Sequence, residues 1–174
     1  MRTILDVHDN PALREISRDI PLDEIRSEKI RGLIAEMKTL LSKEKYGVAL
    51  AASQVGEPIK IFIVSGAALA KRTEYEEESA PTVPDQVYIN AELVKVSRGK
   101  SNKHEGCLSI RGLWGEVPRA EKATVRAYDE EGRPFTRGAS GFLAHIFQHE
   151  IDHLNGILYT DKAVKLHDDE PNDE

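Results

Sequence analysis

One cysteine, at position 107, is all that this chain of 174 residues carries. No internal disulfide can form, so the fold must rest on its core. That suits a reducing compartment and makes the cytoplasm the expected location. Long hydrophobic runs are also missing. The longest nearly apolar stretch, residues 59–70, is interrupted by Lys60, Ser65 and Gly66 and is far shorter than the roughly 20 residues of a membrane-spanning helix. The opening Met1-Arg2-Thr3-Ile4-Leu5-Asp6 has no apolar core of signal length, so no secretory signal is expected. Positive charge is not in excess either: 24 Lys and Arg face 30 Asp and Glu, a formal −6. That balance argues against a surface that coats nucleic acid, though not against a local basic patch, and no specific nucleic-acid or membrane partner is expected.

What remains is long enough for one domain, which buries about 70% of the surface its unfolded chain exposes. Residues 1–22, with Pro11 and Pro21, read as an extended, wrapping arm. From Asp23, Ile30, Leu33, Ile34, Met37, Leu40 and Leu41 recur at three- and four-residue spacing and predict a helix that Gly47 ends; Gly32 within it suggests close packing. The small residues of 47–56 predict a tight helix-to-strand connection, and residues 59–64 a strand. Glutamates and prolines predict an exposed loop over 65–86. Strands are expected at 86–89, 93–97, 101–105 and 123–128 and around Phe135, with a hairpin loop at 129–132. Gly141 leads into a long helix, a short edge strand is expected at 157–159, and the acidic end is too polar to bury. Helix, then strands, then helix argues for an α+β fold.

Chemistry concentrates in Gln148-His149-Glu150-Ile151-Asp152-His153. On a helix, residues four apart project from one face about one turn apart, so His149 and His153 have chelating geometry. Glu150 is rotated by about 100°, outside that chelate but within reach of a bound water. Catalytic sites of this kind use three protein ligands and leave one position open. Downstream, only His167 and acids are available. Upstream stands Cys107, with Gly106 before it allowing close backbone approach. Cys, His and His would suit zinc or ferrous iron. Other readings exist: histidines on a polar helix face share the spacing of His145, His149 and His153, and lone cysteines often pack as small hydrophobes. Gln54, a primary amide after an apolar run, needs partners if buried and could donate to a substrate oxygen.

Three blocks, Gly47-Val48-Ala49-Leu50-Ala51-Ala52-Ser53-Gln54, Glu105-Gly106-Cys107-Leu108-Ser109 and Gln148-His149-Glu150-Ile151-Asp152-His153, stand in the order and at about the separations of the peptide deformylase family, which the chain resembles over roughly residues 3–162. The resemblance implies antiparallel or mixed sheets wrapped around a central helix that carries the histidine motif. With the length and the polar end, this gives the expectation of a single catalytic domain over 1–162, followed by an acidic, disordered tail over 163–174. By the same resemblance Cys107, His149 and His153 bind a divalent metal, ferrous iron in the cell and replaceable by zinc, nickel or cobalt, with water as fourth ligand. Glu150 is then the general base, while the Gln54 amide and the Leu108 N–H stabilise an oxyanion. Val48, Ala49, Gly106, His145 and Ile146 stand on the substrate side, and Glu105 with Arg119 forms a structural ion pair. The implied reaction removes the formyl group from N-formylmethionyl nascent peptides as formate.

The sequence departs from the family pattern at Ala49, where a second glycine is usual, and at Arg111, Trp114 and His145, positions that bear on substrate range. No basic C-terminal helix follows Lys165, so ribosome docking through such an element is not expected. Two alternatives belong beside the main reading. One is a zinc-type metallopeptidase, against which stands that only His167 and acids in a polar tail follow His153 as a third ligand. The other is a catalytically lapsed relative that binds peptide ends or stores metal.

Overall fold

The computed structural model describes residues 1–72 and 83–168. The apolar stripe read from Ile30 onward closes into α1, Glu28–Lys43. This helix begins later than Asp23 because Ser27 caps it, its Oγ accepting from the Ile30 N–H at 3.3 Å, and Asp23 and Glu24 lie in a separate 3-10 turn. Gly32 does not mark close packing, since a Cβ there would meet nothing within 4 Å.

Five strands form one antiparallel sheet: β1 (Ala49–Ala51), β2 (Ile61–Val64), β3 (Gln86–Val96), β6 (Lys122–Tyr128) and β7 (Pro134–Ser140), in the order β1-β2-β3-β6-β7. A second antiparallel sheet joins β4 (Lys100–Cys107), β5 (Ile110–Ala120) and β8 (Lys165–Asp168) in that order. The period of two along a strand divides the core. Leu50, Ile61, Ile63, Val87 and Ile89 turn to one face of the large sheet and pack on Leu33, Ile34 and Met37 of α1. Ala51, Phe62, Val64, Tyr88 and Val125 turn to the other and pack on α3, Gly141–Leu154. Because α3 touches strands of both sheets, Ala144, Phe147, Ile151 and Leu154 are all buried, as expected of a helix enclosed on most sides. Gln148 fixes its position by bonding the N–H and C=O of Ala120, at 2.8 and 2.9 Å.

The α+β class and the sheets around a motif-bearing helix agree with the sequence reading; several elements differ from it. The strands expected at 86–89 and 93–97 are one strand, bent at Asn90, whose φ of 52° is left-handed. Its side chain bonds the N–H and C=O of Ile20 at 2.7 and 2.8 Å, which compensates that backbone conformation and ties down the arm. The loop expected over 65–86 opens with a short helix, α2, Gly66–Arg72, where the Ser65 Oγ accepts from the Ala68 N–H at 3.1 Å; residues 73–82 lie outside the described residues. The edge strand expected at 157–159 is instead the start of α4, Tyr159–Lys162, because the Asp161 carboxylate accepts from the Leu158 N–H at 3.0 Å and caps the turn. The acidic tail expected from residue 163 is corrected in part. Lys165–Asp168 pair with β5, since a strand edge satisfies backbone groups without burying charged side chains, and residues 169–174 lie outside the described residues. No helix among the described residues is long and apolar enough to cross a membrane.

Candidate metal centre

Helical geometry alone brings His149 and His153 together, with ring centroids 4.9 Å apart on α3. Cys107 arrives from the second sheet, at the end of β4, where the β4–β5 register shifts between Glu105 and Cys107. Its Sγ lies 3.4 Å from His153 Nε2, and one potential ligand atom from each of Cys107, His149 and His153 lies within 4.8 Å of the others. A thiol and two imidazoles converging in this way fit a divalent cation of borderline softness. His153 Nδ1 and Glu150 Oε2 are buried without a hydrogen-bond partner among the described residues, as are Ser17 Oγ and Ser53 Oγ.

A buried ionic network supports this centre. Glu105 Oε1 lies 2.6 Å from His149 Nδ1 and accepts from Arg119 Nη2 at 2.9 Å; Glu105 Oε2 accepts from Arg119 Nε at 2.6 Å and lies 2.8 Å from His145 Nε2. Arg119 also donates to Asp152 Oδ2 at 2.7 Å, and Lys162 completes the chain at Asp152 Oδ1, 3.0 Å away. Burial would raise the Glu105 pKa, but the hydrogen bonds from Arg119, His145 and His149 outweigh it and hold the carboxyl far below the usual range. On His149, burial opposes a charge, yet the bonds to Cys107 and Glu105 lift its pKa well above the usual imidazole value. Surroundings that attract a proton to that ring also attract a cation in the proton's place. His153 goes the other way, lowered by burial and by neighbouring His149. Burial pushes Glu150 up to about 7, and its Oε1 stands 4.0 Å from His149 Nε2.

Gln54 sits in the 3-10 turn Ala52–Val55 that follows β1. Its Oε1 accepts from the Ala51 N–H at 2.9 Å, and its Nε2 donates to Cys107 Sγ at 3.4 Å and to Ser109 Oγ at 3.3 Å. The amide is therefore aimed at the thiol. Leu108 lies in the turn after Cys107 and packs against the core on the α1 side. Val48, Ala49 and Phe142 are half-buried around the cluster that holds Ile146, so Ile146 is a core residue and the other three border it. The Val48 carbonyl accepts from the Ser65 N–H at 2.8 Å. Gly106 faces the Trp114 ring, and His145 stands one helical turn before His149, in contact with Glu105.

Sequence reasoning did not single out Ser109, Asp152 or Tyr159. Ser109 is fully buried, receives Gln54, and accepts the Val7 N–H through its carbonyl at 2.9 Å, which ties the N-terminal arm to the centre. Tyr159 lies against His149, its hydroxyl donating to the Leu113 carbonyl at 2.6 Å. The signal for each is its place in the sequence: Asp152 and Ser109 sit inside the motif blocks, and Tyr159 ends Gly156-Ile157-Leu158-Tyr159, a segment that also fits the family pattern.

Comparison with known proteins points the same way. The model of the polypeptide deformylase family matches residues 1–169. A peptide deformylase of Thermomicrobium roseum is 40% identical over 162 residues, covering 93% of this chain and 85% of that protein. The chloroplastic peptide deformylase 1A of Solanum lycopersicum is 38% identical over 159 residues, and the match spans 89% of this chain but 57% of the tomato protein. Among solved structures, the class I type b peptide deformylase of Acinetobacter baumannii with Met-Ala-Ser bound superposes with a TM-score of 0.79 at 29% identity, covering 93% of this chain and 98% of that one. With its three sequence blocks gathered about one thiol and two imidazoles, the chain belongs to the polypeptide deformylase family, whose members are metal-dependent hydrolases of N-formyl amides.

Proposed function

We propose that the centre at Cys107, His149 and His153 removes the formyl group from N-formylmethionyl nascent peptides, with Glu150 as its general base. The observation that carries this reading is the convergence of the three donor atoms within 4.8 Å beside the buried Glu150 carboxyl, whose Oε2 has no hydrogen-bond partner among the described residues. A divalent cation held by these three residues would polarise the formyl carbonyl and lower the pKa of the attacking water. Glu150, whose carboxyl burial pushes up from its ordinary value, can accept that water's proton and hand it to the departing amine. The Gln54 amide, already directed at the thiol, and the Leu108 N–H act as donors to the oxyanion. The peptide extends β1, which is an edge of the five-stranded sheet, beside Val48, Ala49 and Gly106. The methionine side chain rests against the apolar surroundings of Ile146 and Phe142, below His145. Ferrous iron is the cation proposed for the cell, with zinc, nickel or cobalt able to replace it, since the ligand set accepts all four. The proposed setting is the cytoplasm, with transient contact with ribosomes.

Formate release from a formyl-Met-Ala-Ser peptide by anaerobically prepared protein tests this. Glu150→Gln is expected to keep its metal and lose about 10²–10⁴-fold in kcat. Full activity in that variant removes Glu150 as the base, and cleavage of unformylated peptides with no formate release would favour the peptidase reading. Binding of the formylated peptide without turnover in the wild type marks a lapsed enzyme.

A further inference from the structure

Glu105 receives more donors than an ion pair with Arg119 supplies. A carboxylate offers about four lone-pair sites, and all are used. Oε1 takes Arg119 Nη2 at 2.9 Å and His149 Nδ1 at 2.6 Å, while Oε2 takes Arg119 Nε at 2.6 Å and His145 Nε2 at 2.8 Å. His145 is itself held: the Phe142 ring meets it edge-on at 6.1 Å, and only 12% of its side chain is exposed. Facing an ionised carboxylate, its Nε2 carries the proton and donates.

We propose that His145 is a positioning residue for the metal centre, acting through Glu105 on His149. By filling the last acceptor site of Glu105, it stops the carboxylate from rotating within the fork of Arg119. The Nδ1–H of His149 then meets a fixed oxygen, which sets both the tautomer and the ring plane of that ligand. Residue 145 thus has a role besides any contact with substrate. The inference rests on the metal-centre reading, and its test separates the two.

Cobalt is the probe, because its visible ligand-field bands report coordination geometry directly. Wild type, His145→Leu and His145→Gln are loaded with Co²⁺; affinity is measured by chelator competition, and folding is checked by circular dichroism. His145→Leu is expected to shift the bands and weaken cobalt binding on the order of three- to tenfold, at or below the low end of the cost of losing a direct partner of a metal-bound histidine. His145→Gln keeps an N–H donor and is expected to restore both. Unchanged bands and affinity in a folded His145→Leu protein overturn the proposal, as does a His145→Gln protein shifted as far as His145→Leu. A change confined to KM for peptides with different first side chains shows a pocket wall only and also overturns it. Wild type that takes up no cobalt overturns the metal centre itself, and the proposal with it.

Discussion

The two sides of the centre are built by opposite means. His149 and His153 sit four residues apart on one helix, so their relation is decided once α3 forms, and α3 forms because its apolar residues are enclosed by both sheets. Cys107 has no such local determinant. It sits at the end of β4, where the β4–β5 ladder slips, and its place depends on Gln54 from the turn after β1, on Ser109 bound to the N-terminal arm, and on the Glu105–Arg119 clasp. A site half local and half assembled fails first on its assembled side. That expectation can be broken by cutting the ties in turn.

The clasp is the strongest tie. Arg119 is 2% exposed and joins Glu105 of β4 to Asp152 of α3, which is to say the cysteine side to the histidine side. Arg119→Met leaves two carboxylates without their main partner, and breaking a buried pair in this way costs about 3–5 kcal/mol. Urea denaturation at pH 7 reads this, and metal content is expected to fall with it. The pH dependence has a definite sign. The Glu105 pKa is depressed in the folded state, so its contribution is complete above the ordinary carboxylate pKa and is lost as pH falls below it. The gap between wild type and Arg119→Met therefore narrows below about pH 4.3. A loss under about 1 kcal/mol, within the range of a surface pair, would show that the clasp does not hold the two sides together.

That division also explains what could be read in advance. The α3 motif, the β2 strand and the α1 stripe follow from periodicity, which is a local property of the chain. Cys107 is a candidate third ligand by its chemistry and by Gly106 before it, but a lone cysteine also packs as a small core residue, and the family resemblance decides between the two. Ile157, Leu158 and Tyr159 favour a strand, and the decisive cap, Asp161, lies beyond that window. The polarity of Lys165–Asp168 argues against burial, yet an edge strand needs main-chain pairing and not burial.

The arm is the next tie to test. Asn10 is buried, its Nδ2 donating to the Ser53 carbonyl at 2.7 Å and its Oδ1 accepting from the Ala12 N–H at 3.2 Å. Asn10→Ala leaves that carbonyl and N–H without these bonds, at a cost of about 1–3 kcal/mol. If the arm steadies the cysteine side, hydrogen exchange speeds up at Leu5 and Val7 while α3 amides keep their protection. Uniform acceleration through α3 would mean that the two sides open as one unit.

The smallest expected effect lies next to the cysteine. A Cβ on Gly106 would fall 2.9, 3.0 and 3.1 Å from three ring carbons of Trp114. That ring is stacked on His104, with centroids 4.8 Å apart and planes 13° from parallel, so it cannot yield without losing this contact. Either the indole moves, or the backbone that positions Cys107 moves. Overpacking of this kind costs about 1–3 kcal/mol, and a half-buried ring that can lean toward solvent points to the lower end. Gly106→Ala is accordingly expected to lose about 1 kcal/mol in urea denaturation, and adding Trp114→Leu is expected to return most of it. The double-mutant coupling then exceeds about 0.5 kcal/mol, the limit for independent sites. Cobalt affinity decides which part gave way: retained affinity in Gly106→Ala means that the ring moved, whereas a loss rescued by Trp114→Leu means that the cysteine turn moved. Additive effects would show that the indole is no constraint on the assembled side, leaving Gln54, Ser109 and the clasp to hold it.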